Sequence, residues 1–426
     1  MDAQFATLDS NPDLIIATPG RLVHLLVEMD RRLMHCRQVV FDEADQLFEM
    51  GFAEQLNEII GRLSVDRQTM LFSATLPPVI LEFAKAGLRD PELVRLDVER
   101  RLPENLQMAF LHLRHEDKTA ALIHLLSHII KRDDKCVVFV ATKHHVELLR
   151  MILERYNFDP TYIYSSLDPF ARRDMIRRFR MEKPEVTPEK RFDEDGEEIR
   201  GYSNLMIVTD IAARGIDIPL LDCVINFHFP PKAKLYIHRV GRVARAGRPG
   251  TAYSFVSGEE LPYLLDLHVF LGKPLGYCQK ENSKWDGLLG RFPQAAIDDE
   301  HDALVKDFRE VGEIQSQTKS AFNAEKGYRR TKEKASRESG EKAKEIDITT
   351  CAVHPLFGRE YCARQDILDQ MKLAKPKMTI FEIRQKKLKN TSMISNAAAV
   401  MRELKSKNDH LIEKFKGIRK EYVLTG

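Results

Sequence analysis

Two adjacent carboxylates, Asp42 and Glu43, follow the apolar run Val39-Val40-Phe41 and open the tetrad Asp42-Glu43-Ala44-Asp45. A buried strand that delivers paired acids at its C-terminal end can place a magnesium ion and an attacking water beside a phosphoryl group. In that chemistry Asp42 holds Mg²⁺ through water and Glu43 polarises the water. Taken alone, Asp-Glu is only a pair of solvated acids at a strand end. Four later segments give it weight: Ser73-Ala74-Thr75, Val137 to Ala141, Thr209 to Asp217 and His238 to Arg248.

Each of these segments has chemistry of its own. Arg242 and Arg245 lie three apart, which on a helix puts both guanidiniums on one face. Planar guanidinium forks suit a phosphoryl group whose charge is spread over its oxygens. The bland alternative is a basic helix face. His238 could orient a phosphate network, although a lone histidine is more often structural. In Thr18-Pro19-Gly20-Arg21 a Pro-Gly turn ahead of a helix exposes backbone N–H groups, and Arg21 adds a charge; a phosphate of a single strand fits there. Ser73 and Thr75 are small hydroxyl residues at a strand end, equally suited to a simple cap. Gly215 lets backbone approach a ligand closely.

The elements that must position these groups alternate. Short apolar strands are expected at Leu14–Ala17, Gln38–Phe41 and Thr69–Phe72, with helices over Arg21–Glu28 and Phe52–Leu63. A second alternating block starts near Gln107. It has strands at Cys136–Val140, Thr161–Tyr164, Leu205–Val208, Val224–Phe227 and Thr251–Val256, and helices at Lys118–Ile130, His145–Arg155 and Ala171–Arg180. Such alternation implies two α/β domains with parallel sheets. Leu88 to Pro103 reads as a hinge between them, and Glu182 to Gly201 as a charged surface insertion. The expected division is 1–98 for the first domain, 99–258 for the second, a charged and partly disordered linker over 259–345, and a basic helical tail over 346–426.

Composition sets the outer limits. The chain has 426 residues, 43% hydrophobic and 31% charged, with a formal net charge of only +2. Nucleic acid would therefore be bound through local patches rather than a global positive field. Six scattered cysteines with no Cys-x-x-Cys pair fit a reducing compartment. Cys351 and His354 have the spacing of half a zinc site, but no second half is evident. No apolar run reaches membrane-spanning length, and the first residues lack a signal-peptide core, so an intracellular protein with no membrane partner is expected.

With these motifs in this order, residues 5–258 resemble the DEAD-box RNA helicases. Asp42-Glu43-Ala44-Asp45 looks like the family's motif II, and Thr18-Pro19-Gly20-Arg21 is similar to its RNA-backbone motif. Ser73-Ala74-Thr75 resembles the motif that couples hydrolysis to RNA, toward which the family's counterpart of Asp45 hydrogen-bonds. Thr209 to Asp217 resembles motif V and His238 to Arg245 motif VI. The resemblance implies two RecA-like domains with ATP in the cleft between them and RNA held across both. Asp42, Glu43, Arg242, Arg245 and His238 would be catalytic, and Asp45, Ser73 and Thr75 would couple the two activities. Asp42, Gly215, Asp217, Arg242 and Arg245 would hold the nucleotide, with Mg²⁺ on Asp42. Thr18, Pro19, Gly20, Arg21, Arg172 and Thr209 would hold RNA.

The departures from the pattern are as informative. Ser166 and Pro169 stand where the family has Gly and Gln, leaving only Arg172 of a Gln-x-x-Arg element. No Gly-x-x-x-x-Gly-Lys-[Ser/Thr] sequence occurs, and Met1 resembles an internal methionine of the family, so the first domain is expected to be N-terminally incomplete. Gln315-Ser316-Gln317, Ala321 to Arg330, the pattern around Ile163 to Ala171 and the lysine-rich tail resemble nucleolar members that act in large-ribosomal-subunit assembly. The resemblance thus implies a monomeric, ATP-dependent RNA helicase of the nucleus and nucleolus, acting on ribosomal RNA beside pre-ribosomal proteins. The competing readings are a non-catalytic RNA-binding or assembly protein, favoured by the missing P-loop, and a DNA helicase of related fold.

Overall fold

Gln38–Phe41 and Gln68–Leu71 each carry an apolar run too short for a helix, and they pair as parallel strands with Val39 opposite Thr69 and Phe41 opposite Leu71. The computed structural model describes residues 2–73, 78–88, 90–94, 102–183, 201–213, 216, 218, 220–245, 247–279, 285–348, 351–358, 361–364 and 367. The chain divides into two units, Met1–Val98 and Glu99–Gly426. The first contains α1 (Asp2–Asp9), α2 (Pro19–Glu28), β1 (Gln38–Phe41), α3 (Ala44–Glu49), α4 (Ala53–Gly61), β2 (Gln68–Leu71) and α5 (Pro78–Gly87). Its core gathers Phe41, Ala44, Leu56, Ile80 and Phe83, with the Phe83 ring edge-on to Phe41 and Phe48 at 5.6 and 4.9 Å. Leu14–Ala17 is not the strand expected from its apolar content. No described strand lies beside it, so its backbone joins no ladder, and Leu14 and Ile16 are exposed.

The second unit begins with β3 (Leu106–His112), α6 (Lys118–His124), β4 (Cys136–Val140), α7 (Lys143–Arg155), β5 (Thr161–Ile163), α8 (Pro169–Arg180), β6 (Leu205–Thr209) and α9 (Asp210–Ala213). It continues through β7 (Cys223–Asn226), α10 (Ala233–Val240), β8 (Gly250–Val256), α11 (Leu261–Leu271), β9 (Gly276–Tyr277), β10 (Leu288–Arg291), α12 (Gln294–Glu310), α13 (Gly312–Thr331) and α14 (Arg337–Glu345). Among the described residues its sheet has eight strands in the order β5-β6-β4-β7-β8-β3-β10-β9, all parallel. Every residue of β4, β6 and β7 is buried. Continuous rather than alternating apolar runs are what a parallel sheet covered on both faces requires. Pro169, which replaces the family's Gln, starts α8 at its first turn. There the Asp168 carboxylate caps the helix by accepting from the Phe170 and Ala171 N–H groups at 2.8 and 3.1 Å.

Residues 259–345 are not the charged linker the composition suggests. Strand β10 adds to the sheet beside β3, with Leu289 opposite Phe110, and β9 follows it. Helices α12 and α13 bury Ala295, Ala296, Ile297 and Leu304, and Ile314 and Ala321. A narrow buried stripe suffices to dock a helix whose other faces are charged. Of the expected tail, 368–426 lies outside the described residues, as do 184–200 of the expected insertion and 95–101 of the expected hinge. Among the described residues no helix is long and apolar enough to cross a membrane.

Candidate functional site

The first unit presents its carboxylates on a turn directly after β1. Glu43 has φ +49°, a left-handed conformation that non-glycine residues adopt at a cost of about 1–3 kcal/mol. Hydrogen bonds hold the turn in place. Asp42 Oδ1 accepts from the Glu43 N–H at 2.9 Å, and Ala44 N–H donates to the Phe72 carbonyl at 3.0 Å. Phe72 N–H in turn donates to the Phe41 carbonyl at 2.8 Å, and the Asp45 N–H donates to Ser73 Oγ at 3.3 Å. The end of β2 is therefore tied to the acid turn at three points. Asp42 and Glu43 are exposed while Asp45 is buried, so the first two acids face solvent and the third is committed inward. An exposed carboxylate at a strand end fits a Mg²⁺ ion held through water. Thr75 lies outside the described residues.

Thr18 caps α2 with extended backbone (φ −82°, ψ 148°), and Pro19 takes the first helical position. Thr18 and Arg21 are exposed, Gly20 is half-buried and Pro19 is buried. The helix start thus offers backbone N–H groups and a guanidinium at one surface.

In the second unit the organising residue is one the sequence did not single out. Arg239 is only 2% exposed and grips Asp210 with two bonds, Nε to Oδ1 at 2.6 Å and Nη2 to Oδ2 at 2.7 Å. Its Nη1 donates to Asn226 Oδ1 at 2.9 Å and to the His228 carbonyl at 2.8 Å, and the guanidinium lies 4.9 Å from the centre of the Phe139 ring. It thereby binds the residue after β6 to the loop after β7. Its signal in the sequence was faint: one Arg in a run of four within ten residues, with its acid partner 29 positions away.

Arg242 and Arg245 do not share a helix face, as their spacing suggested. Helix α10 ends at Val240, Gly241 caps it, and Val243 bridges to Leu221. A Cβ on Gly241 would stand 2.8 Å from the Ile237 carbonyl oxygen, so only glycine allows this exit. Arg245 Nε turns back to donate to the Gly241 carbonyl at 2.5 Å. Burial, with the nearby Arg242 charge, lowers the Arg245 pKa. The two cations are thus brought together by a turn. His238 is half-buried on α10. Thr209 ends β6 and is buried. Gly215 and Asp217 lie outside the described residues.

Arg172 donates to the Ala212 carbonyl at 2.9 Å, tying α8 to α9. It also lines a cavity with Arg173, Arg177, Arg180 and Ile216. These further arginines were readable as a helical stripe in α8 and were missed. A groove walled by guanidiniums suits a phosphate backbone. Behind the sheet edge a buried pair supports the loops. Lys118 Nζ reaches both Glu260 oxygens at 2.7 and 2.8 Å, and Glu260 also accepts from the Phe229 and Ser257 N–H groups at 3.0 and 2.9 Å. Burial would raise the Glu260 pKa, but Lys118 and these donors outweigh it and hold it down. All six cysteines are free, and no three-donor metal group forms around Cys351 and His354 among the described residues.

Acids on a strand-end turn in one parallel α/β unit, and a guanidinium pair on a loop of a second, define a RecA-like nucleotide-dependent helicase class. Residues 1–83 match the DEAD/DEAH box helicase family and residues 117–247 the helicase conserved C-terminal domain. The chain is 45% identical over 432 residues to the ATP-dependent RNA helicase DDX54 of Mus musculus, covering 99% of this chain and 47% of that protein. It is 39% identical over 447 residues to the ATP-dependent RNA helicase dbp-10 of Neurospora crassa, covering 96% of this chain and 46% of that protein. It therefore spans a little under half the length of these relatives. Among solved structures it is similar to S. cerevisiae Dbp5 bound to RNA and ADP BeF3, with a TM-score of 0.52 and 25% identity, covering 68% of each chain. The chain belongs to the DEAD-box helicase family.

Proposed function

We propose that this chain is the helicase portion of an ATP-dependent RNA helicase that remodels RNA or RNA–protein complexes. The observation that carries this is the Asp42-Glu43 turn stitched to Ser73. That linkage lets a change at the acids move the end of β2. Bound ATP with Mg²⁺ supplies the transferable phosphoryl group and the cation that neutralises its charge. Asp42 is suited to hold the cation through water, and Glu43 to orient the attacking water and take its proton. Arg242 and Arg245 are suited to donate to phosphoryl oxygens as charge shifts onto them. Arg239 keeps the loop that carries them in register. The start of α2 and the arginine wall of α8 are suited to phosphates of a single RNA strand.

Two relatives whose names read ATP-dependent RNA helicase, and a structural neighbour bound to RNA and ADP BeF3, support this activity. We further infer that the substrate is ribosomal RNA of the assembling large subunit, that the site of action is the nucleolus, and that the protein works as a monomer beside pre-ribosomal proteins. The support is the resemblance of residues 315–330 and of the lysine-rich 378–422 stretch to helicases of that pathway. A non-catalytic assembly role is disfavoured because both acids and both guanidiniums are present. To test the reading, residues 1–426 are joined behind an N-terminal helicase segment that carries a Gly-x-x-x-x-Gly-Lys-[Ser/Thr] phosphate-binding loop. Phosphate release should rise with single-stranded RNA, and a short RNA duplex should separate while the matching DNA duplex does not. Equal stimulation by DNA, or none by RNA, would overturn it.

A further inference from the structure

Helix α6 runs on into a π-turn over Leu125–Ile129, and together they place His124 and His128 four residues apart. Helix α12, packed against α6, brings Glu300 to both. Glu300 Oε1 lies 3.9 Å from His124 Nδ1 and 3.5 Å from His128 Nε2, and one donor atom from each residue falls within 4.8 Å of the others. His124 is 1% exposed, yet neither of its ring nitrogens has a hydrogen-bond partner. Phe292, Phe357 and Tyr361 crowd the ring at 6.0, 6.2 and 5.4 Å between centroids. A buried imidazole with both nitrogens unused is costly, and native proteins rarely leave one so.

We propose that His124 Nδ1, His128 Nε2 and Glu300 Oε1 form a Zn²⁺ site that fastens α12 to α6. Two imidazoles and one carboxylate are a donor set that suits zinc and is too nitrogen-rich for Mg²⁺ or Ca²⁺. Tetrahedral bonds of about 2.0–2.1 Å set donors roughly 3.4 Å apart. The separations of 3.5 and 3.9 Å to Glu300 therefore close by about half an ångström or less, and the remaining pair, within 4.8 Å, by about 1.4 Å or less. Water takes the fourth position, and the His128 side chain, 56% exposed, opens the site to solvent. Turns of the π type recur at functional sites. The site joins the helicase sheet's own layer to a helix that lies beyond residue 258. It uses none of the residues assigned to nucleotide or RNA.

A second buried group, His145, His228 and Glu325, serves as the internal control. His228 Nδ1 already accepts from the Ala141 N–H at 3.2 Å, which leaves the ring hydrogen on Nε2, and Glu325 is engaged by His115 at 2.7 Å. Metal-free chain 1–426 is titrated with Zn²⁺ against a chromophoric chelator, with thermal unfolding followed in parallel. Wild type and Glu325→Gln should each bind one Zn²⁺ per chain and melt at a higher temperature with the metal. His128→Ala, at an exposed position that leaves the core intact, and Glu300→Gln should each lose affinity by about 100-fold or more. They should also lose the metal-dependent rise in melting temperature. Undiminished binding in His128→Ala, or no binding by the wild type that competes with the chelator, would overturn the proposal.

Discussion

Replacing Arg239 by Met keeps much of the side-chain volume and removes the guanidinium. Four hydrogen bonds go with it, two to Asp210 and one each to Asn226 Oδ1 and the His228 carbonyl, along with the contact to the Phe139 ring. Breaking a buried charge pair by removing one partner costs about 3–5 kcal/mol. Asp210 keeps 19% side-chain exposure, so water relieves part of its loss. The stranded Asn226 oxygen and His228 carbonyl add about 1 kcal/mol each. We expect a loss near 3–4 kcal/mol for Arg239→Met, and a smaller one, about 1–2 kcal/mol, for Arg239→Lys, which keeps charge but not the fork. Trp285 is the only tryptophan and lies in the second unit, so its fluorescence reports that unit's unfolding in urea. The midpoint should fall at unchanged slope. A double-mutant cycle with Asp210→Asn should show a coupling of at least about 1 kcal/mol. A midpoint shift for Arg239→Met equivalent to under roughly 0.5 kcal/mol would refute the clamp.

Two further outcomes follow from the same geometry. In a P-loop-bearing fusion, Arg245→Lys should lower kcat about tenfold or more with a smaller change in ATP affinity, because a planar fork matters most as charge moves onto the phosphoryl oxygens; steady-state kinetics with RNA present measures both. His354 is fully buried, and burial holds its pKa at about 4, below the ordinary 6.5. The unfolded chain therefore takes up this proton first. The stability of the second unit should be fully present above pH 6.5 and decline as pH falls from 6.5 toward 4. Urea midpoints at several pH values should show that slope, and His354→Phe should lower it by about one proton's share, the remainder belonging to other buried histidines of the unit such as His124 and His228.

Much of the fold was legible because burial on both faces leaves a mark in single strands: Cys136–Val140 and Leu205–Thr209 are apolar without alternation, and each is a central strand. The acid turn was legible because Asp42 and Glu43 follow such a run directly. What stayed hidden depended on contacts distant in sequence. Arg239 is an ordinary basic residue until Asp210, 29 positions earlier, is brought beside it. Arg242 and Arg245 meet by way of Gly241 and the Val243 bridge, which helical spacing cannot reveal. Helices α12 and α13 bury so few residues that their charge dominated the composition. Strands β9 and β10 are two and four residues long; β10 gains its identity from pairing with β3, and β9 from pairing with β10. In the other direction, Leu14–Ala17 has a strand's composition but, among the described residues, no neighbour to pair with.

The central claim is that Glu43 activates water for ATP hydrolysis coupled to RNA. Its most direct test is Glu43→Gln in residues 1–426 fused behind a segment that carries a P-loop. Glutamine keeps the shape of the left-handed residue at φ +49° and leaves Asp42 in place, while removing the proton acceptor. RNA-stimulated phosphate release should be abolished, while ATP binding and ATP-dependent RNA binding stay within about twofold of the wild type. Phosphate release at the wild-type rate would contradict the account.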